Sequence, residues 1–275
     1  MRAAGGVANT LRLQGRYEEA DAAFAEALAV AEAALGTDDA ELPAILNNWA
    51  IVYKYTARFD AAESLYHRAL EISERRYGPD HFELASIYHN LGGLEHARGR
   101  YAEGEPAARR AVEIRERALG PDHPAVAADK AALAAILDAL GEEDEAEALL
   151  RAALVVFERV LGPDHYEVAV TANNLGAIHQ RRGEPDEAEA LYQRAIAIKE
   201  RVLGPYHPEL ATTLNNLATV LRADARYAEA EALYQRCLAI LKAAVGPDHP
   251  TTLACRENYT VLLPRAAGSD AKAAG

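Results

Sequence analysis

A glycine preceded by an apolar or aromatic residue returns at Gly36, Gly78, Gly120, Gly162, Gly204 and Gly246, 42 residues apart each time and with no insertion between. Around it stand LGTDD, YGPDH, LGPDH, LGPDH, LGPYH and VGPDH. A phase held over five intervals does not arise by chance. A chain with such a period is a stack of similar units, each of which buries its apolar face only against its neighbours.

Each unit reads as two helices. After Gly162, the stretch 167–182 carries Ala172, Leu175, Gly176 and His179 on one stripe. Gly183-Glu184-Pro185 interrupts it, and a second helix is predicted over about Asp186 to Leu203, with Ala188, Leu191, Tyr192, Ala195, Ile196 and Ile198 toward the core. A glycine just past a helix end adopts the left-handed conformation without a Cβ penalty, so Gly204 caps that helix. Pro205 cannot continue it. The Asp or His that follows in each turn is suited to accept a hydrogen bond from a free N–H of the next helix start.

Composition removes the sheet-based alternative. Half of the 275 residues are hydrophobic but only 7% are aromatic, and alanine is abundant, which favours close helix packing over propeller blades. HEAT repeats share the period, so the side-chain pattern decides. Small residues recur at Ala20, Ala62, Ala146, Ala188 and Ala230, and an aromatic stands four later at Phe24, Tyr66, Tyr192 and Tyr234. A small residue follows at Ala27, Ala69, Ala111, Ala153, Ala195 and Cys237. With Asn90-Leu91-Gly92, Asn174-Leu175-Gly176 and Asn216-Leu217-Ala218, this resembles the tetratricopeptide signature, lengthened from its usual period of about 34. The longer unit, its L-G-P-D-H-P turn and its paired Asn look like the repeats of kinesin light chains and their bacterial relatives, over about residues 7–263. The resemblance implies an all-α, right-handed α-solenoid of antiparallel helix pairs, a tetratricopeptide-like superhelix.

The expected organisation is a partial repeat or cap over 1–36, five repeats over 37–246, a half repeat or cap helix over 247–264 and a disordered tail over 265–275. Two repeats depart from the pattern. Gly104 and Ala108 replace Ala and Tyr, and Pro106 predicts a late start or a kink in that second helix. Ala131-Ala132 stand where neighbouring repeats carry Asn.

A net charge of −13 and the lack of a basic run argue against nucleic acid as the ligand. No long uncharged apolar stretch predicts a membrane span, and no apolar block of signal-peptide length opens the chain, so a cytoplasmic protein is expected. Cys237 and Cys255 lie in helical, apolar surroundings and are expected to be buried free thiols rather than a disulfide.

A ligand is expected on the first helix of each unit. In the unit after Gly36, Leu46, Trp49, Ala50 and Tyr53 make the core stripe, and Ala44, Asn47, Asn48, Ile51, Lys54 and Tyr55 make the opposite one. That opposite stripe faces a concave groove if the pairs stack. Its repeats include Ser86, His89, Asn90, Gly93 and His96; Ala131, Ala132, Ala135 and Asp138; Asn173, Asn174, Ala177, Gln180 and Arg181; and Asn215, Asn216, Thr219 and Arg222. Asn offers both a donor and an acceptor, which suits the amides of an extended peptide of any sequence. The competing reading is that the Asn side chains bond to one another or to backbone as a ladder between repeats. Lys54, Arg181 and Arg222 add positive charge that suits an acidic or phosphorylated segment. The kinesin light chain resemblance implies a peptide with an aromatic amid acidic residues.

His81, His123, His165, His207 and His249 fall one per turn, too far apart to share an ion whose bonds are near ~2 Å. His89 and His96 have no Cys or carboxylate framing them in the sequence. No phosphate-binding loop or nucleophile motif appears, and neither metal nor cofactor is expected. The leading expectation is a non-catalytic scaffold that binds protein or peptide, as a monomer or with weak self-association through terminal helices. The alternatives are a sensor or assembly segment of a larger bacterial signalling protein, a spacer without a ligand, and an enzyme on a helical scaffold.

Overall fold

The computed structural model describes the backbone of residues 2–273 and the side chains of residues 5–261. Among the described residues there are thirteen helices and no strand. They are α1 (Arg2–Leu13), α2 (Tyr17–Leu35), α3 (Leu42–Tyr55), α4 (Phe59–Tyr77), α5 (Leu84–Ala97), α6 (Tyr101–Leu119) and α7 (Pro124–Leu140). After these come α8 (Glu143–Leu161), α9 (Tyr166–Arg181), α10 (Pro185–Leu203), α11 (Leu210–Ala223), α12 (Tyr227–Ala244) and α13 (Pro250–Ala273). The fold is all-α, built from packed helix pairs. The chain forms two compact units, residues 1–149 and 150–275, divided within α8.

Two kinds of turn alternate. In the turn that ends each repeat, glycine takes a positive φ, from 81° at Gly120 to 96° at Gly162. The histidine three residues later then starts the next first helix. Nδ1 of His81, His123, His165, His207 and His249 accepts from the backbone N–H of Glu83, Ala125, Glu167, Glu209 and Thr251, at 3.1–3.3 Å. Asp39 does the same for Glu41 at 2.9 Å. The turn inside each repeat also needs one left-handed residue. Gly15, Gly99, Gly141 and Gly183 supply it, but Ala57 and Ala225 hold φ of 57° and 58° at the same repeat position.

In the first unit, Leu42, Leu46, Ala50, Tyr53, Ala62, Tyr66, Ala69, Ile72, Leu84, Ile87 and Leu94 form the main core, and Ala8, Ala20, Phe24 and Val52 form a smaller one. In the second unit, Ala188, Tyr192, Leu210, Leu214, Leu217, Ala218, Ala230, Tyr234, Cys237 and Leu241 pack together. The small-aromatic-small spacing thus buries the rings of Phe24, Tyr66, Tyr192 and Tyr234 between small residues. Polar ties join adjacent pairs. The Trp49 indole N–H donates to Asp21 Oδ1 at 2.6 Å, and Arg58 pairs with Asp21 Oδ2 at 2.5 Å, so α2 is bonded to α3 and to the turn before α4. Successive second helices repeat a Glu–Arg pair: Glu32–Arg68, Glu158–Arg194 and Glu200–Arg236.

Two expectations need correction. The second helix carrying Pro106 does not start late: α6 begins at Tyr101, in step with its neighbours. Its first turn is closed before the proline, since Glu103 N–H and Gly104 N–H both donate to Arg100 O, at 3.2 and 3.1 Å. Gly104 and Gly92 then let α6 lie close on α5. A Cβ on Gly104 would sit 3.1 Å from Gly92 O, and one on Gly92 would sit 3.0 Å from the Ala108 Cβ. The reduced residues of this repeat are therefore a matched set. Likewise α13 does not stop near Leu263-Pro264 but is helical backbone from Pro250 to Ala273. The side chains of the expected tail lie outside the described residues.

Candidate functional site

The first helices α3 and α5 in one unit, and α9 and α11 in the other, each present the stripe opposite their core stripe. Along it Asn47, Asn48, His89, Asn90, Asn173, Asn174, Asn215 and Asn216 are all half-buried, neither in the core nor fully solvated. Tyr55 is 63% exposed and stacks on Tyr17, with ring centroids 5.7 Å apart. Asn47, Asn48 and Ser86 line a cavity of about 240 Å³ together with Ala44, Ser73 and Tyr77. Asn48 also borders a second cavity of about 320 Å³ with Gly5, Phe24 and Glu41. In the other unit, Gln180, Thr219 and Arg222 line one of about 340 Å³ with Gly183, Pro185 and Val220.

The asparagines are not equivalent. The first of each pair uses its oxygen inside the protein. Asn47 Oδ1 accepts from Asn90 Nδ2 at 2.8 Å, and Asn215 Oδ1 accepts from Asn258 Nδ2 of α13 at 3.0 Å. Asn173 Oδ1 accepts from the Thr213 hydroxyl at 3.0 Å. A ladder between repeats therefore exists. It occupies one acceptor site of each first-row carbonyl oxygen, so these amides meet a ligand mainly as donors rather than as the even two-way clamp that the residue type alone suggests. Asn173 spends one of its donors on Asn174 Oδ1, at 3.2 Å. Among the described residues, the side chains of Asn48 and Asn216, at the same position of two repeats, make no hydrogen bond within the protein, and both keep donor and acceptor.

The polarity at Asn173 is enforced from below. Lys199 of α10 is buried, and its ammonium donates to Thr213 Oγ1 and to the Glu209 carbonyl, both at 3.1 Å. An ammonium cannot accept, so Thr213 must pass its own proton on to Asn173. Burial holds the Lys199 pKa below the ordinary lysine value. The same positions in the first unit hold Arg115, Asp129 and His89. Arg115 donates to Asp129 Oδ1 at 2.9 Å and to Ser86 Oγ at 3.1 Å, and His89 Nδ1 lies 2.8 Å from the same carboxylate oxygen. Asp129 is buried, so His89 is anchored through one ring nitrogen while the ring remains partly exposed.

The expected basic residues differ in kind. Lys54 is half-buried, with no ion pair among the described residues. Burial lowers its pKa, and its Nζ lies over Gly93, where a Cβ would meet it at 2.9 Å. His96 is pushed down by burial and then by the Lys54 charge. Arg222 donates to the Asn258 carbonyl at 3.3 Å and so braces α13. Arg181, at the end of α9, is exposed. Asn258, Thr213, Asp129, Lys199 and Arg115 were not anticipated from the sequence. Asn258 carried a usable signal, since it stands 42 residues after Asn216.

Cys237 and Cys255 are buried free thiols. Among the described residues, no helix is long and apolar enough to cross a membrane.

Comparison with known proteins places this geometry. No curated protein matches the chain. The solved structure of BtubC (BKLC) from P. vanneervenii superposes with a TM-score of 0.70 at 29% identity, over 85% of this chain and 94% of that one. A putative kinesin light chain of Podosopora anserina with nearly identical TPR-like repeats gives 0.60 at 23% identity, over 73% and 95%. A signal transduction ATPase with numerous domains from Pyrococcus horikoshii, which carries a tetratricopeptide repeat sensor, gives 0.73 at 14% identity, over 94% of this chain and 38% of that one. The tetratricopeptide repeat model matches residues 1–75, 41–103, 83–154, 127–201, 167–243 and 209–274 in overlapping segments. The chain belongs to the tetratricopeptide repeat family.

Proposed function

We propose that this protein is a non-catalytic scaffold that binds an extended peptide, or a segment of a protein, along the polar stripe of its first helices. The observation that carries this reading is the state of Asn48 and Asn216. Each is half-buried, yet among the described residues its amide has no hydrogen-bond partner. A half-buried amide without partners is costly unless water or a ligand satisfies it, and Asn48 borders two cavities. Both residues keep a donor and an acceptor, which is what a peptide backbone unit requires. The amide N–H groups of Asn47 and Asn215 suit ligand carbonyl or carboxylate oxygens. Lys54, without an ion pair among the described residues and partly desolvated, favours an acidic residue or a phosphate on the first unit, and Arg181 and Arg222 offer positive charge on the second. Tyr55 offers an exposed ring for an aromatic side chain.

Site-specific photo-crosslinking tests this. A photoreactive residue at Asn48 or Asn216 is expected to trap the partner, whereas one at Val30 or Val202, exposed on second helices, is not. Trapping from the second helices alone would overturn the reading.

A second reading, a sensor segment of a larger signalling protein, draws on the fold shared with the sensor of the Pyrococcus ATPase. It predicts that the partner trapped at Asn48 and Asn216 is a domain of the signalling assembly itself.

A further inference from the structure

The chain has two cysteines, and they meet. Cys237 on α12 and Cys255 on α13 are 0% and 3% exposed. The Cys255 thiol donates to Cys237 Sγ at 3.0 Å, and the Cys237 thiol points at the Ala211 carbonyl oxygen, 3.3 Å away. At the equivalent positions other repeats carry Ala195 and Thr213, or Ala111 and Asp129, so this is the one place in the array where two sulfurs face each other. A disulfide needs about 2.05 Å between sulfurs, so closing the pair takes about 1 Å of movement, within the reach of small side-chain rotations.

The neighbourhood gives the bond a consequence. Asn258 lies one turn after Cys255 on α13. Its side chain donates to Asn215 Oδ1, and its carbonyl accepts from Arg222. Whatever fixes α13 on α12 fixes the residue that sets Asn215 and Arg222.

We propose that Cys237 and Cys255 form an oxidation site, at which an intrachain disulfide staples α13 to α12 and holds Asn258 against α11. The oxidant class is a hydroperoxide, with hydrogen peroxide as the simplest member. The Cys255 thiolate attacks one peroxide oxygen. An S–O bond forms, the O–O bond breaks, and the hydroxide released takes a proton from the Cys237 thiol. The Cys237 sulfur then attacks the Cys255 sulfenic sulfur, and a second hydroxide leaves, protonated to water. Two thiols and one peroxide become one disulfide and two waters, with two electrons passing from the sulfurs to the peroxide. Cys255 is the first attacker: it is the less buried of the two, and once it is ionised the Cys237 S–H turns from the Ala211 carbonyl to donate to it, which stabilises the thiolate against burial. The hydrogen bond to Cys255 and burial push the Cys237 thiol up. This chemistry does not depend on the ligand-binding reading.

The test uses the full chain, reduced and then exposed to hydrogen peroxide. The expected product has lost the mass of two hydrogen atoms, stays monomeric without reductant, and yields a linked peptide pair containing Cys237 and Cys255. Amide exchange across α13 should slow roughly tenfold or more compared with the reduced chain, because opening α13 must then strain a closed loop. A Cys237→Ala variant, carrying the residue that other repeats use there, should show neither the link nor the slowing. Thiols that stay individually titratable, a bond between two chains, a stable oxygen adduct on Cys255 in the natural protein, or a disulfide that leaves α13 exchange unchanged would overturn the proposal.

Discussion

Ala57 and Ala225 occupy a backbone conformation, φ near +57°, that costs an L-residue roughly 1–2 kcal/mol and costs glycine little. Four other repeats place glycine there. Ala57→Gly and Ala225→Gly should each stabilise the protein by about 0.5 kcal/mol, the relief of strain exceeding the added entropy of the unfolded chain. The converse Gly99→Ala should cost about 1 kcal/mol although its Cβ would meet nothing within 4 Å. Urea midpoints measure both, and a destabilising Ala57→Gly would show that the turn is not strained. This position was hidden in the sequence because alanine occupies it twice, whereas the outer turn announces itself through Gly, Pro and His together. The state of each asparagine was hidden for a different reason. Residue type says that Asn can donate and accept; which half is free depends on Thr213 or Asn258, one repeat further on. Thr213→Val should cost about 1–2 kcal/mol, since it removes an acceptor from the buried Lys199 ammonium and the donor to Asn173. Thermal unfolding would check this, and an unchanged midpoint would mean that water replaces the hydroxyl.

Between elements, the sequence showed helix length, phase and the buried faces, because a period of 3.6 within a period of 42 leaves little freedom. It did not show how closely two helices approach. Gly176 allows the Tyr192 ring to lie on α9, where an added Cβ would come within 2.9 Å of it. Gly176→Ala should therefore destabilise the second unit by about 1–3 kcal/mol through overpacking, read as a lowered urea midpoint. Asp21 ties three elements together. Burial opposes its charge, but hydrogen bonds from Trp49, Arg58 and Tyr53 outweigh this and hold the carboxyl below the ordinary aspartate range. A depressed carboxylate contributes stability that is present above the unfolded pKa, about 3.9, and is lost as pH falls through the lower folded value. Asp21→Asn should thus lower the melting temperature at pH 7 and change it little near pH 2. Equal effects at both would contradict the assignment.

At the scale of the whole chain, each unit has its own core, and the polar stripe appears in both with the same asymmetry between first and second asparagine. Many of the basic residues pair with Glu across neighbouring repeats, so the net charge of −13 comes from the surplus of acidic residues over these pairs, and such surface pairs add little stability. Half-buried and without an ion pair among the described residues, Lys54 stands apart from them. Repeat sequence thus reports fold readily and partner poorly. The core positions are constrained by the period, whereas the stripe is free to vary, as Ala131 and Ala132 show in place of Asn. The measurement that tests the central claim most directly is affinity capture from the source cell's lysate. The natural protein would be compared with an Asn48→Ala, Asn216→Ala variant of equal helicity. A partner held by the natural protein and lost from the variant is the predicted result. A partner held equally by both would place recognition elsewhere and contradict a stripe that binds through these two amides.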